Sequence, residues 1–568
     1  MKNLPTNRPV TGAKRVELRA ADLQRAMAHQ QKGNVKEAEA CYRSLLLVEP
    51  NDATVIRLLG LLHLYRGDFI AAIGLFERAL RVNPDLVDAH VGLGNAFAAQ
   101  GKLPAAEAAY NRALKLDSKN LEALNNLGNT LQRMRRFAEA ASALRSGISI
   151  NPKLAELHNN LGNALQAEKN LDEAVAAYRE AILLKPDFAQ AHNNLGNVLK
   201  ARNDLPDAVT SYERALALNP RYVEALNNLG NTLHAQGRSA EALLSYGRSL
   251  QVKPDQGDAP FYESLVHLTL GDLAQGFAKY EHRWRSDLRS ALRPFAQPQW
   301  LGDVDLKGKV LLLHAEQGLG DSLHFVRYAP LAAERGATVI LEVQPVLKRL
   351  LRNVPGVQIV LAKGEPLPAF DLHCPLLSLP YAFRTTLFNI PSPASFLTIP
   401  PGQSDFWRDR LAMRPHPRVG LMWTGNPHHL NDRNRSLPLA QLHSLLDGRK
   451  GTFYSLQKEY RSDEERLAAR QMGIIDLSAE IGDFESTAAL VAQLDLVISV
   501  DTSMAHLAGS LDRPVWILLP FCPDWRWMLQ RTDTPWYPSA RLFRQERPAD
   551  WSRPIRELTA ALDSFPIS

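Results

Sequence analysis

Residues 191–224 read AHNNLGNVLKARNDLPDAVTSYERALALNPRYVE, and from Ala225 the string starts again as ALNNLGN. A unit of 34 residues therefore repeats. The same beat runs outward in both directions. Prolines stand at Pro50, Pro84, Pro152, Pro186, Pro220 and Pro254, with Ser118 on the one missing beat. Alanines stand at Ala38, Ala72, Ala106, Ala140, Ala174, Ala208 and Ala242. Four residues after each comes Tyr42, Phe76, Tyr110, Leu144, Tyr178, Tyr212 or Tyr246. Glycines at Gly60, Gly94, Gly128, Gly162, Gly196 and Gly230 complete the register. Each type has a physical job. The small residues let two antiparallel helices approach, and the aromatic fills the space between that pair and the next. The proline follows the second helix, which it cannot continue.

This combination of L-G, A-x-x-x-aromatic and Pro resembles the tetratricopeptide (TPR) repeat. No such unit buries its apolar face alone, so stacking must make one continuous core. Seven units are expected over 20–256 as a right-handed solenoid. A degenerate eighth, with Gly276 and Tyr280 in the alanine and aromatic slots, caps the array within a cap-and-linker segment at 257–304. Residues 1–19 are expected to be a flexible tail.

Four units carry a nearly unchanged N-N-L-G-N string, which makes two ladders: Asn126, Asn160, Asn194 and Asn228, and Asn129, Asn163, Asn197 and Asn231. Asparagine is a mediocre helix former, so its recurrence needs a reason. A side-chain amide both donates and accepts. The ladder can hold the backbone of an extended peptide, or it can tie neighbouring repeats together. It resembles the repeat superhelix of O-GlcNAc transferase, which implies a protein or peptide partner in the groove.

After Trp284 the beat stops. A basic, proline-containing connector occupies 285–305, and strand-like runs then alternate with helical ones. Strands are expected at 309–314, 337–343 and 357–362, and again at 418–423, 452–457, 495–500 and 514–519. Helices are expected at 320–334 and 345–351. Such alternation implies parallel α/β sheets. The Pro-rich stretch 389–401 separates two Rossmann-like lobes, at 305–401 and 402–568. The predicted fold class is thus a TPR α-solenoid followed by a GT-B-like pair of α/β lobes.

Ligands of such sheets bind at the carboxyl ends of strands, so the loops there are the places to look. Three loops stand out. In HAEQGLGDSLHF (314–325), Gly318 and Gly320 permit a tight turn, and Asp321 either serves chemistry or caps the helix. In MWTGNPHHLNDRNRSLPL (422–439), amides, small residues and two arginines suit a diphosphate, or make a polar surface loop. In DLVISVDTSMAHLAG (495–509), Asp501, Thr502 and Ser503 begin a helix with His506 one turn on. They form an anion cradle, or Asp501 is a simple N-cap.

Together, in this order, the three loops resemble the heptosyltransferases of glycosyltransferase family 9 over about 309–545. The matched residues are Gly320-Asp321, D-T-S-M-A-H-L-A from Asp501, and Arg435 in R-S-L-P-L. Ser503 stands where relatives have glycine, and Arg435 where many have lysine. The resemblance implies a metal-independent enzyme of GT-B fold using a nucleoside-diphosphate sugar, with no further cofactor. It implies Asp321 as general base or acceptor-orienting residue. Thr424 and Arg435 would hold the diphosphate, with Asp501, Thr502, Ser503 and His506 around the phosphates and sugar. Gly320, Asn426 and Gln457 complete the expected donor set. Trp525, Arg526 and Trp527, in a segment unlike the heptosyltransferases, either shape the donor pocket or pack in the core.

The totals agree with this reading. The 568 residues carry a net charge of +6 and 22% charged residues, with no run of five like charges. That argues against a dedicated nucleic-acid binder. Three scattered cysteines, Cys41, Cys374 and Cys522, suggest neither a disulfide framework nor a zinc site. No apolar run approaches the roughly 20 residues of a membrane span, and the N-terminus lacks a signal-like apolar core. A soluble, cytoplasmic protein is expected.

Overall fold

The computed structural model describes residues 12–566 apart from 287, 290, 291, 394 and 430. The chain divides into two compact units, one ending at Ala225 and one running from Leu226. Sixteen helices follow one another in the described residues from Gly12 to Tyr280. The first, Gly12–Gln31, already occupies the end of the expected tail. The remainder of that tail, 1–11, lies outside the described residues.

In the first unit each repeat is a helical hairpin, and from Gly60 onward its glycine lies under a side chain of its own second helix, aromatic in every case but Leu144. A Cβ on Gly94 would stand 2.5 Å from the Tyr110 ring, on Gly162 2.6 Å from Tyr178, and on Gly196 2.5 Å from Tyr212. Phe76 also reaches the next hairpin, where a Cβ on Gly92 would meet it at 2.5 Å. The aromatic thus fills its own hairpin as well as the gap to the following one. The turn inside each hairpin has its own beat. Residues 33, 67, 101, 135, 169 and 203 all adopt positive φ; three are glycines and three are Arg135, Lys169 and Asn203. A left-handed residue after the first helix closes the helix end and reverses the chain. Side chains start several helices, as where Asp52 accepts from Thr54 and Val55 and Asn120 from Ala123.

The second unit begins with the last full hairpin and the degenerate pair Asp258–Thr269 and Leu273–Tyr280. Gly230 repeats the packing rule, its Cβ position 2.4 Å from the Tyr246 ring. Two parallel sheets follow. The first contains β1 (Val310–His314), β2 (Thr338–Val343), β3 (Val357–Ala362) and β4 (Leu372–Pro375), in the order β3-β2-β1-β4. The second contains β5 (Arg418–Met422), β6 (Thr452–Ser455), β7 (Ile475–Asp476), β8 (Leu496–Val500), β9 (Val515–Leu519) and β10 (Ala540–Arg544), in the order β10-β9-β8-β5-β6-β7. All the paired strands are parallel. A TPR-like helical array followed by two parallel α/β sheets of GT-B type is therefore the architecture, as expected.

Details differ from the sequence reading. The helix expected over 320–334 is broken by a 3-10 turn at Val326–Tyr328 into Leu319–Phe325 and Ala329–Glu334. Pro330, at the start of the second piece, has no N–H to continue the first. The helix expected at 345–351 likewise opens as a 3-10 turn at Pro345–Leu347. Leu268, Phe277 and Tyr280 of the degenerate pair share one hydrophobic core with strands and helices of both lobes. Among the described residues, no helix is long and apolar enough to cross a membrane.

Candidate functional site

In the first sheet the chain winds outward from β1 through β2 to β3, then returns to β4 on the other side of β1. In the second it winds from β5 to β7 and returns to β8 beside β5. Each reversal opens a crevice at the strand ends, where α/β sheets take ligands. The loops after β1, β5 and β8 are the three singled out from sequence.

Asp321 is the third residue of helix Leu319–Phe325, and its Oδ2 accepts the Gly318 N–H at 2.7 Å. The capping role is thus real for one oxygen. The other, Oδ1, accepts from Nη2 of Arg526, which comes from the opposite lobe. Burial lifts the Asp321 carboxyl above the usual aspartate range, and Arg526 pulls it back. Gly318 and Gly320 do not supply a left-handed turn: Gly318 has φ −72° and neither has positive φ. Gly320 permits a close approach instead, since a Cβ there would lie 2.9 Å from His506 Cδ2 and 3.6 Å from the Ser503 Cα.

The helix Ser503–Ser510 starts from Thr502, whose hydroxyl accepts the Met504 N–H and pairs with Ser499 Oγ at 3.1 Å. Thr502, not Asp501, is therefore the N-cap, and the simple capping reading of Asp501 is corrected. Thr502 has the extended backbone an N-cap needs, and its short side chain folds back onto the first turn. Asp501 contributes its backbone carbonyl to Arg435 Nη1 at 2.9 Å. Burial and the neighbouring Asp524 push its carboxyl upward. Arg435 passes over Gly425, where a Cβ would meet its guanidinium at 2.6 Å.

His506 is buried, and its ring stacks on Trp527 at 5.2 Å. Its Nδ1 is 3.0 Å from the Tyr537 hydroxyl, which also lies 2.9 Å from Nδ1 of His324. Burial holds both imidazoles neutral by depressing their pKa values. The tyrosine has one proton to give, so at least one of the two rings donates to its oxygen. Trp525 and Trp527 are both buried, and Trp527 also stacks on His506. Arg526 between them reaches the site.

Thr424 and Gln457 meet as a pair: Gln457 Nε2 donates to Thr424 Oγ1 at 2.6 Å and the Thr424 N–H returns to Oε1 at 3.3 Å. Thr424 lines an open cleft of about 620 Å³ together with His429, Arg433, Ser436, Arg461 and Glu465. Asn426 is exposed, and its Oδ1 accepts from the His428 N–H within its own turn. Residues missed from sequence are Arg526 as a cross-lobe partner, Asp524, His324 and Tyr537. The W-R-W string carried the one local signal among them.

The asparagine ladders are engaged within the array. The Tyr178, Tyr212 and Tyr246 hydroxyls donate to Oδ1 of Asn163, Asn197 and Asn231 at 2.7–2.8 Å. Leu144 replaces the tyrosine opposite Asn129. Asn126 donates to Asn95, Asn160 to Asn125, and Asn194 to Asn159 and Asn163, all across neighbouring repeats. Asn228 also has a partner.

The sequence model described as cilia and flagella-associated protein 70 C-terminal domain matches residues 6–225, and a tetratricopeptide repeat model matches 193–259. The model of glycosyltransferase family 9 (heptosyltransferase) matches residues 454–526, which include Gln457, Asp501, His506 and Arg526. Protein FlbA of Caulobacter vibrioides is 28% identical over 336 residues, 54% of this chain. The chain spans about half of that relative, 55% of its length. Among solved structures, MamA protein is 24% identical over 30% of this chain and 92% of its own, with a TM-score of 0.28. Pseudomonas aeruginosa PilF is 20% identical over 37% of this chain and 96% of its own, with a TM-score of 0.34. The chain carries a tetratricopeptide repeat region followed by a glycosyltransferase family 9 (heptosyltransferase) domain.

Proposed function

We propose that the two-lobed domain transfers a sugar from a nucleoside-diphosphate sugar to an acceptor hydroxyl, with inversion and without a metal. One observation carries this reading. Asp321 from the first lobe meets the Arg526 guanidinium of the second, Gly320 beside it packs on His506, and Arg435 holds the Asp501 carbonyl just before the His506 helix. Asp321 takes the acceptor proton as general base, and its burial makes it a stronger base than a surface aspartate. Arg435, Arg526 and the backbone N–H groups around Thr502 and Ser503 stabilise the leaving diphosphate. The Thr424–Gln457 pair and the adjoining cleft hold the rest of the nucleotide. Closure of the crevice keeps water from the donor.

The acceptor is a Ser or Thr of an extended protein segment held by the repeat array. A second reading is favoured by the ladders. Because Asn163, Asn197 and Asn231 bond the tyrosine of their own hairpin and Asn126, Asn160 and Asn194 bond amides of the preceding repeat, the ladders hold the array together, and the acceptor is then a glycan or lipid-linked precursor with the array docking a partner protein. The test is thermal stability against a panel of nucleoside diphosphates and nucleotide sugars, with and without magnesium. Ligand at a hundredfold excess over Kd stabilises by about 2.7 kcal/mol. A magnesium-indifferent shift with one base, lost in Arg435→Ala, supports the donor site; no shift with any nucleotide refutes it. Substituting Asn160 and Asn194 together separates the two acceptors: protein modification is lost in the first case and turnover of a purified glycan persists in the second.

A further inference from the structure

Arg526 is built to hold more than the protein offers it. Its Nη1 donates to Asp524 at 2.8 Å and its Nη2 to Asp321. The side chain is 7% exposed, lies over the Trp525 ring at 4.4 Å, and has a buried Nε–H without a partner. A buried donor on a charged group is costly to leave unmatched. Asp321 is equally committed, one oxygen to its own helix and the other to Arg526. A carboxylate locked in an ion pair is a weakened base, because its partner stabilises the ionised form.

Resting on the donor-site reading above, we propose that the Asp321–Arg526 pair is a latch opened by the donor: the diphosphate of the nucleotide sugar takes Arg526 away from Asp321. A diphosphate carries more charge than one carboxylate and accepts two parallel N–H bonds from a guanidinium. Arg526 Nε and Nη2 then face phosphate oxygens, and Asp524 keeps Nη1. The freed Asp321 stays buried without its cation, so its proton affinity rises when a donor is in place. The acceptor hydroxyl gives its proton to Asp321 and its oxygen bonds to the sugar carbon. The bond from that carbon to the diphosphate breaks, and the diphosphate leaves with the electron pair against Arg526. Arg526 is a positioning residue for Asp321 before the reaction and a partner of the leaving group during it.

The experiment measures nucleoside diphosphate binding by calorimetry, with the unphosphorylated nucleosides as control, on the full chain. The first variant is Asp321→Asn, which keeps the side-chain shape and removes the competing charge. It should bind the diphosphate at least about fivefold more tightly, while Arg526→Lys and Arg526→Gln bind it about tenfold or more weakly, the scale of one charge-assisted hydrogen bond. Nucleoside binding stays unchanged in all three, and urea midpoints establish that each variant is folded. A bond of merely structural importance would make every variant weaken together, so the opposite signs are diagnostic. Unchanged or weakened diphosphate affinity in Asp321→Asn overturns the latch, and the donor site still stands if Arg435→Ala abolishes wild-type binding. If the wild-type chain binds no nucleoside diphosphate, the donor-site reading falls and the latch with it.

Discussion

Replacing Gly196 by alanine tests the packing rule of the repeats most directly. The added methyl would stand 2.5 Å from Cε1 of Tyr212 and 2.8 Å from its Cδ1 and Cζ. Carbon atoms need about 3.5–4 Å, so the ring must move by about 1 Å. The ring is fully buried, and its hydroxyl is tied to Asn197 at 2.8 Å, so it cannot tilt without breaking that bond. Overpacking costs about 1–3 kcal/mol, and the lost hydrogen bond about 1 kcal/mol more. The better helix propensity of alanine returns about 1 kcal/mol. The net expectation is a loss of about 2 kcal/mol. Gly74 is the control: it also lies inside a helix, but nothing is within 4 Å of its Cβ position. Gly74→Ala should therefore stabilise, by up to about 1 kcal/mol. Urea unfolding followed by far-UV circular dichroism reads both changes. Hydrogen exchange should place the Gly196→Ala weakening in helices Ala189–Ala201 and Leu205–Leu218. If both substitutions move the midpoint in the same direction, the ring-over-glycine account is wrong.

Lys169 occupies a left-handed turn position with φ 64°, so Lys169→Gly should stabilise by about 1 kcal/mol in the same urea assay. Glu316 is buried against Arg283, and desolvation pushes its carboxyl up to about 7 from an ordinary 4.5. The folded state therefore holds the proton more tightly than the unfolded one. Stability falls as pH rises from 4.5 through about 7. Glu316→Gln should flatten that fall, by up to about 3 kcal/mol at pH 8 and nothing at pH 4, read as melting temperature against pH. Gly320→Ala would press on His506, which Tyr537 and Trp527 hold in place. The fold should lose about 1 kcal/mol, the low end of an overpacking cost, read as a lower urea midpoint, and nucleoside diphosphate binding should weaken as His506 is displaced.

The repeats were legible because every beat is local: glycine, aromatic and proline recur at a fixed spacing. The left-handed turn beat escaped notice because Arg135, Lys169 and Asn203 occupy it where glycine is expected. The Tyr–Asn bonds are present in the sequence as an asparagine 15 residues before Tyr110, Tyr178, Tyr212 and Tyr246, whereas Tyr42 has Met27 there and bonds Gln30 instead. The second repeat supports that pairing, since Leu61 and Phe76 replace the two members together. The central strands announced themselves as apolar runs. The others did not: β4 reads L-H-C-P, β7 has two residues, and β10 has arginine at both its second and last positions. Strand-end logic located Asp321, Arg435, Asp501 and His506. Nothing local marks His324 or Tyr537, because their pairing depends on two segments 213 residues apart meeting in the folded chain.

The boundary between Ala225 and Leu226 falls in the first turn of the helix Val223–Ala235, at the start of the last full repeat. The repeat array thus runs past the end of the first compact unit. Duplication copies 34-residue cassettes, yet the last cassette and its degenerate successor have become part of the two-sheet body, with Phe277 edge-on to Trp525 and Cys522 against the His234 carbonyl. Exchange of repeats between relatives should be tolerated upstream of this point and punished beyond it. A fragment meant to hold the sheets alone should keep the residues from 226 onward, since cutting where the 34-residue rhythm ends would expose the apolar surface that those final helices cover.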